Sequence, residues 1–265
     1  MEVVAVDWSG AVQGASARIW VAHVVDGDLV TLRNGRTRQQ VVDDLVELRG
    51  HCPAGLVVGL DFSFSFPAWF VRSRRCTSVN DMWRTATREG EDWLRACSAP
   101  FWGRPGRPRP VLSEHFRRAE KAISVGGISP KSGFQIGGAG SVGTGSVRGM
   151  PYLPQLREAG FSIWPFDAAS PWTVLEIYPR LMTGPVRKSN LEQRALYLDA
   201  ITWPVTPAHA ASLIGSEDAF DAGISALVMH DNLADLAHLR PSTDPVTLVE
   251  GDVWQPSKIT PWTNL

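Results

Sequence analysis

Residues 3–9, VVAVDWS, decide how this chain folds. A run of apolar and mostly β-branched residues leads into Asp7, and Trp8, Ser9 and Gly10 follow directly. Such a run is typical of a buried β-strand. Burying a lone carboxylate at the end of a central strand is costly, so Asp7 requires a metal, a cation or a hydrogen-bonding turn as its partner. Capping the turn at Ser9 and Gly10 is the simplest of these roles.

A second strand of the same kind lies at residues 55–62, GLVVGLDF, and it leads to another acid, Asp61. Between the two, the pattern predicts a strand at residues 17–25, a turn at Asp26-Gly27, a strand at residues 28–32 and a helix at residues 38–48. This order predicts an antiparallel three-strand meander and a crossover helix, which makes the fourth strand parallel to the first. Asp7 and Asp61 are therefore expected at the same edge of one sheet.

Helices and strands continue to alternate after residue 150. The pattern predicts helices at residues 150–159, 191–200, 207–214 and 216–230, strands at residues 161–166 and 172–177, and a terminal hairpin from residues 247–254 and 258–262. The sequence thus predicts an α/β fold in which a mixed sheet is flanked by helices, within a single domain over residues 1–265.

A basic helical and Gly/Pro-rich insertion at about residues 67–150 interrupts this pattern. Its first part, residues 67–97, is predicted to be helical. Residues 100–110, PFWGRPGRPRP, contain too many Pro and Gly residues for a helix or a central strand, so they are predicted to form a semi-rigid loop. This loop offers candidates for binding phosphates and stacking on bases, which are Arg104, Arg107, Arg109, Phe101 and Trp102. An ordinary solvated loop explains the same residues equally well.

Residues 135–149, QIGGAGSVGTGSVRG, contain six glycines, including a GxGxxG pattern at Gly138, Gly140 and Gly143. A dinucleotide site requires a strand immediately before this pattern, but Ser-Pro-Lys-Ser-Gly at residues 129–133 precedes it. The segment is therefore predicted to be a flexible loop or lid whose backbone N–H groups approach a ligand.

The formal net charge of −1 conceals an asymmetry along the chain. Residues 72–148 carry 14 Lys and Arg against 6 Asp and Glu, net +8, whereas the rest of the chain carries 12 against 21, net −9. Such a split favours an anionic partner near the middle of the chain, although a solvated basic loop gives the same count.

Cysteine spacing and hydropathy bear on the location of the protein. Cys52, Cys76 and Cys97 lack the paired spacing of a zinc site or a disulfide framework, which favours a reducing compartment. No run approaches the roughly 18 apolar residues of a membrane span, and the N-terminus begins a strand rather than a signal peptide. We therefore expect a cytoplasmic protein with no membrane partner.

Three more acids occur near the ends of predicted elements. Glu176 has apolar neighbours near the end of the strand at residues 172–177. Two roles are open to it: it belongs to a functional site, or it forms a salt bridge with an arginine such as Arg180. Asp218 and Asp221 are three residues apart at the start of the last long helix, so they share one face. The helix dipole alone also favours acids at that position.

The acids at element ends predict a metal site if the sheet gathers them at one edge. Several carboxylates within a few ångströms repel one another unless cations neutralise them. Ligand sets made only of oxygen select Mg²⁺ or Mn²⁺, and two such ions can clamp a phosphodiester for hydrolysis. None of the six histidines has the spacing of a general base with a partner, so metal-activated water is the expected nucleophile.

Several motifs of the chain resemble a known family. They are VAVDWSGA, GLDFSFSFP, the glycine-rich FQIGGAGSVGTGSVRGMP, WPFD, LEIYPRL, Lys188 and SEDAFDAGISAL. Together they resemble a bacterial family labelled domain of unknown function 429, whose members are predicted to be ribonuclease H-like nucleases. The resemblance extends from Asp7 to the C-terminal hairpin, and it implies a ribonuclease H-like fold.

The resemblance also implies roles for particular residues. Enzymes with this fold place acids on the first strand, on the fourth strand and on a late helix, and these roles fall on Asp7, Asp61, Asp218 and Asp221. The arrangement is more similar to Holliday-junction resolvases than to ribonuclease H itself, which has an acid in its first helix. Glu176 in LEIYP is a hallmark of the family.

We therefore expect a divalent-metal-dependent nuclease that hydrolyses phosphodiester bonds of nucleic acid. Its Mg²⁺ or Mn²⁺ ligands would be Asp7, Asp61, Asp218 and Asp221, with Glu176 as a further ligand or base. Candidate substrate contacts are Ser9, Ser63, Arg104, Arg107, Arg109 and Lys188. Two alternatives remain open: a nucleotide-binding phosphotransferase or ATPase with an actin-like fold, and a non-catalytic nucleic-acid-binding module in which the acids cap turns and the helix.

Overall fold

A six-stranded mixed sheet forms the centre of the structure, a computed structural model that describes residues 1–112, 114–138, 140–168 and 170–258. The strands are β1 (Glu2–Asp7), β2 (Trp20–Val25), β3 (Asp28–Arg33), β4 (Leu56–Leu60), β5 (Ser162–Ile163) and β6 (Trp172–Glu176). Their order is β3-β2-β1-β4-β6-β5. The first three are antiparallel neighbours, whereas β4, β6 and β5 run parallel to β1. The predicted meander and the parallel pairing of the first and fourth strands are confirmed.

Helices flank this sheet on both faces. Those before residue 150 are α1 (Ala15–Arg18), α2 (Arg38–His51), α3 (Ala68–Ser73), α4 (Val79–Ala96), α5 (Arg118–Ala122) and α6 (Gly143–Gly149). After a 3-10 turn at Met150–Tyr152 come α7 (Leu153–Glu158), α8 (Pro179–Thr183), α9 (Leu191–Ala200), α10 (Pro207–Gly215), α11 (Glu217–Asp231), α12 (Leu233–Leu236) and α13 (Thr247–Glu250). None of the described helices has both the length and the hydrophobicity required to cross a bilayer.

The alternation of side chains along β1 builds two hydrophobic layers. Val4 belongs to a cluster that includes the buried residues of α2, and Val3 belongs to a second cluster that includes those of α11. Gly59 in β4 lies under α11, where a Cβ atom would come within 2.7 Å of Met229 Sδ. A glycine at this position therefore lets α11 pack close against the sheet.

The insertion packs into the α2 side of the core through its aromatic residues. Ring centroids lie 5.0–6.2 Å apart in a cluster formed by Phe66, Phe70, Trp93, Phe101 and Phe134. Phe101 and Trp102 are only 3% and 8% exposed. The prediction that these two side chains stack on bases is therefore wrong, because burial of a large aromatic surface holds them inside the protein.

The glycine-rich segment differs from the predicted flexible loop, since its second half is α6. Helix propensity is low for glycine, so tertiary packing has to supply the stability of this helix. The small residues make that packing possible: a Cβ atom on Gly149 would lie 2.7 Å from the ring of Phe62. The predicted lid is thus, in part, a buried structural helix.

Three element boundaries also differ from the prediction. Ala17 and Arg18 belong to α1, so the second strand begins only at Trp20, and the strand predicted at residues 161–166 is reduced to β5. Residues 247–250 form α13 instead of a hairpin strand, and the buried Glu250 carboxylate accepts hydrogen bonds from the backbone N–H groups of Ala68 and Arg118. Residues 259–262 of the predicted hairpin lie outside the described residues.

Candidate functional site

β1 and β4 bring Asp7 and Asp61 to adjacent positions. Val6 and Leu60 pair in parallel register, and the Asp61 backbone N–H donates to the Val6 carbonyl oxygen at 3.0 Å. Asp7 is the last residue of β1, and Asp61 follows β4 directly. Because both parallel strands end at the same edge of the sheet, their two acids lie next to each other there.

The N-terminal part of α11 contributes two further carboxylates. Ser216 caps the helix by accepting a hydrogen bond from the Ala219 backbone N–H, as its position in the sequence predicts. Asp218 is half-buried, and Asp221 is only 2% exposed. Four carboxylates from three elements therefore lie within electrostatic range of one another.

The pKa values of these acids report an excess of negative charge. Burial, followed by repulsion from Asp61, Asp221 and Asp218, raises the pKa of Asp7 well above its ordinary value. Burial and then Asp221 raise the pKa of Asp61 to about 7, against the lowering effect of Lys188 and of a hydrogen-bonding contact with Asp7. Carboxylates whose pKa values are raised both by burial and by neighbouring carboxylates are typical of functional sites.

Lys188 is the cation closest to this cluster. It lies in the connection between α8 and α9, and its ammonium group makes a salt bridge to Asp221 Oδ2. Asp221 Oδ1 is also buried, yet it has no hydrogen-bond partner among the described residues. An unsatisfied buried acceptor costs about 1–3 kcal/mol or more when it is charged.

The donor set fits a hard divalent cation. Asp221 Oδ1 is a free carboxylate oxygen beside Asp7 and Asp61, and carboxylate oxygens are the ligands that Mg²⁺ and Mn²⁺ prefer. In the described part of the chain, however, no group of three or more His, Cys, Asp or Glu side chains is placed so that it could hold a metal ion. The carboxylates therefore offer the donor atoms that such a cation prefers but not a formed set of ligands, and Lys188 neutralises one of them.

A cavity of about 460 Å³ opens beside Asp7 and Asp218. Its wall includes Arg18 and Arg104, whose guanidinium groups have no hydrogen-bond or salt-bridge partner among the residues that the structure describes. Ser9 and Thr144 also line it. The cavity thus brings Asp7 and Asp218 together with Arg18 and Arg104. Burial raises the pKa of Asp218, and the positive charges of Lys188 and Arg18 oppose that rise.

No family model matches the chain, and neither a curated protein nor a solved structure is detectably similar to it. The function therefore rests on the chemistry of the site.

The loop that follows Asp7 is held rigidly beside this cavity. Arg38 donates to the carbonyl oxygens of Ser9 and Ala11 at 2.9 and 2.6 Å, and Arg148 donates to that of Gly10. The loop also approaches α6 so closely that a Cβ atom on Gly10 would lie 2.3 Å from the backbone nitrogen of Gly145. Gly10 is therefore required for the close approach of this loop to α6.

Glu176 is the last residue of β6, and its carboxylate forms a salt bridge with an arginine. Arg117 donates to its two carboxylate oxygens at 2.5 and 2.8 Å, and the Phe64 backbone N–H donates to it at 2.9 Å. An arginine partner is one of the two roles that the sequence leaves open for Glu176, the other being a role in the site, and the partner is Arg117 rather than Arg180, which instead donates to the carbonyl oxygens of Gly184 and Val186. Glu176 and Arg117 are both buried, so in this structure Glu176 positions the chain that follows Asp61.

The remaining predicted contacts divide between the site and the scaffold. Arg107 and Arg109 are exposed and do not line the cavity, and Arg109 lies over the rings of Trp102 and Phe116. Ser63 is buried, and its backbone N–H donates to Ser146 Oγ at 3.0 Å. Of the predicted substrate contacts, Ser9 and Arg104 line the cavity and Lys188 contacts an acid of the cluster.

Sequence reasoning missed Arg18 and Arg117. Arg18 lies within the segment predicted as a strand, where an arginine has no evident role. Arg117 precedes α5 and pairs with Glu120, three residues later, at 2.9 Å. That spacing at a helix start was the available signal for Arg117.

Proposed function

We propose that this protein is a divalent-metal-dependent phosphodiesterase that acts on nucleic acid. The observation that carries the proposal is the unpartnered, buried oxygen of Asp221, whose charge acts on Asp7 and Asp61, together with a cavity that Asp7, Asp218, Arg18 and Arg104 line. In a complex of a metal ion with a phosphate, carboxylate oxygens bind the metal ion and arginine side chains bind the phosphate oxygens. The site offers both kinds of group.

Each residue of the site has a task in this reaction. Asp7, Asp61 and Asp221 would hold the cation, with the half-exposed Asp218 beside them. Arg18 and Arg104 would bind phosphates that flank the scissile one. A bound Mg²⁺ or Mn²⁺ supplies Lewis-acid polarisation of the phosphate and activation of water. In hydrolysis, the water oxygen forms a bond to phosphorus, the P–O ester bond breaks, and the leaving oxygen takes up a proton.

A ribonuclease H-like fold and membership of the domain of unknown function 429 family belong to the same proposal. The order β3-β2-β1-β4-β6-β5, with an antiparallel meander continued by parallel strands, is compatible with this fold. The resemblance implies acids on the first strand, on the fourth strand and on a late helix, and the acids at the ends of β1 and β4 and in α11 support this part of the proposal.

Cleavage of labelled oligonucleotides tests the proposal. Purified protein is incubated with single-stranded and duplex DNA and RNA in Mn²⁺, in Mg²⁺ or in EDTA, and the products are resolved by electrophoresis. We expect metal-dependent cleavage that Asp7→Asn and Asp61→Asn reduce about 100-fold or more, the scale on which the loss of one electrostatic contact to a transition state acts. Asp43→Asn, which removes the same charge from an exposed position of α2, should cleave like the wild type.

Other outcomes would favour the other functions. Equal cleavage by the wild type and Asp7→Asn would contradict the proposed site. Thermal stabilisation by Mg²⁺ and ATP together, but not by metal alone, would favour a nucleotide-binding phosphotransferase. Salt-sensitive binding of nucleic acid in EDTA, with no cleavage under any condition, would favour a binding module.

A further inference from the structure

A second cavity, of about 270 Å³, adjoins the one beside Asp7 and Asp218. Arg148 lines both cavities. They are also connected through aromatic rings, because Trp8 in the wall of the first contacts Tyr152 in the wall of the second, with ring centroids 5.7 Å apart. We call the second one the Tyr152 cavity. A strand that occupies the first cavity can therefore continue into the Tyr152 cavity.

The Tyr152 cavity combines an aromatic ring with apolar and amide side chains. Tyr152 is half-buried, and its ring packs against Trp8, so it offers a fixed surface for stacking. The apolar side chains of Ala86, Val147 and Pro151 and the amide groups of Gln39 and Gln155 also line the cavity. These walls suit a flat ring that has a polar edge.

Several polar atoms of the lining have no hydrogen-bond partner in the part of the chain that the structure describes. Gln39 Nε2 donates to Gln155 Oε1 at 3.1 Å, which leaves Gln39 Oε1 as an acceptor and Gln155 Nε2 as a donor. Arg38 donates through Nε and Nη2 to the carbonyl oxygens of Ser9 and Ala11, and its Nη1 remains a free donor. Donors and an acceptor beside an aromatic ring are the groups that bind an unpaired base along its edge and on its face.

We infer that the Tyr152 cavity binds a base of the nucleic-acid strand, which stacks on Tyr152 and forms hydrogen bonds with Arg38 and the two glutamines. The inference rests on the proposed function and deepens it, because it makes single-stranded nucleic acid the substrate class. A base within a duplex is already stacked and paired, so it enters a cavity of this kind only after it has left the duplex.

Fluorescence anisotropy in Ca²⁺ with two single strands of equal length and charge tests the inference on the full-length protein. One strand is an oligothymidylate, and the other carries abasic sites in place of every thymidine. We expect the wild type to bind the oligothymidylate at least about fivefold more tightly, the lower end of the effect of one base–aromatic stack. Tyr152→Ala should bind the two strands equally, because the stacking surface is lost.

A second variant blocks the cavity and leaves Tyr152 in place. Thr87 lies in the wall of the cavity on α4, and its side chain is exposed, so Thr87→Trp narrows the cavity without disturbing the core. This variant should also lose the preference for the oligothymidylate. Arg88→Trp is the matched control, because it places the same side chain at the next exposed position of α4, outside the lining, and should keep the preference of the wild type.

Different results separate this inference from the proposed function. Equal binding of the two strands by the wild type would overturn the inference, and so would a preference that folded Tyr152→Ala and Thr87→Trp both retain, since the base would then bind elsewhere. Metal-dependent cleavage would leave the proposed function intact in both cases. If the wild type neither binds nor cleaves either strand, the proposed function fails and the inference fails with it.

Discussion

At the scale of single residues, Asp61 carries a charge that the fold itself does not favour. Its pKa of about 7 lies well above the ordinary value of 3.8, chiefly because of burial and Asp221. Between these two values the folded state binds more protons than the unfolded state. Stability contributed by this group is thus present below about pH 4, is lost as the pH rises toward 7, and does not return above it.

In EDTA at pH 8, we therefore expect the ionised Asp61 side chain to destabilise the folded protein. We expect Asp61→Asn to raise the melting temperature in EDTA by about 3–6 °C, because the amide removes the repulsion and most of the desolvation cost. Differential scanning calorimetry measures this shift, and the wild type should approach the variant as the pH falls to 5. Asp43→Asn serves as the control and should stay within about 1 °C. A lower melting temperature for Asp61→Asn would mean that Asp61 is a structural residue.

At the scale of elements, a buried polar network ties the insertion to the sheet. Arg117, just before α5, bonds to Glu176 of β6, to Glu120 of α5 and to the carbonyl oxygen of Glu250 in α13. Glu176 and Glu120 contact the chain that follows Asp61, through Phe64 and Ser63. The insertion thus helps to set the position of a candidate metal ligand although it contributes none itself.

Breaking this network should cost far more than breaking a surface pair. We expect Arg117→Met to lower the free energy of unfolding by about 3–5 kcal/mol, because it leaves the Glu176 and Glu120 carboxylates buried without their cation. Urea denaturation followed by circular dichroism gives this value. Lys121→Met removes the exposed partner of Glu114 and should cost about 0–1 kcal/mol. The double variant Arg117→Met/Glu176→Met should recover part of the loss, and a cost near that of Lys121→Met would show that the network is not required for stability.

At the scale of the whole molecule, the basic insertion and the acidic remainder of the chain meet at the candidate site. The basic insertion contributes Arg104 to the cavity, while β1, β4 and α11, from the acidic remainder of the chain, contribute the carboxylates. Under the proposed function, an anionic strand would therefore be attracted to the insertion and would reach the acids only where a cation neutralises them.

The salt dependence of binding to a single-stranded oligonucleotide should report the number of contacts between arginines and phosphates. We expect the logarithm of the association constant to fall against the logarithm of salt concentration with a slope of about −1.4, since Arg18 and Arg104 each contribute about 0.7 on a single strand. Arg104→Ala should make that slope shallower by about 0.7, because one phosphate contact is lost. Fluorescence anisotropy in Ca²⁺ measures both slopes. The exposed Arg107, which lies outside the cavity, supplies the control variant Arg107→Ala, and equal slopes for the two variants would contradict the assignment of Arg104.

The sequence by itself determined the sheet and the place of its two central acids. Apolar strands that end in Asp7 and Asp61, joined by a hairpin and one crossover helix, have to lie parallel and adjacent, because connection rules leave little choice. Only the tertiary structure decided which charges meet. Arg117 reaches Glu176 across 59 residues and Lys188 reaches Asp221 across 33, and such pairs depend on how helices and loops pack rather than on any local pattern. The same packing buried Phe101 and wound the glycine-rich segment into α6, since burial of apolar surface outweighs local preference.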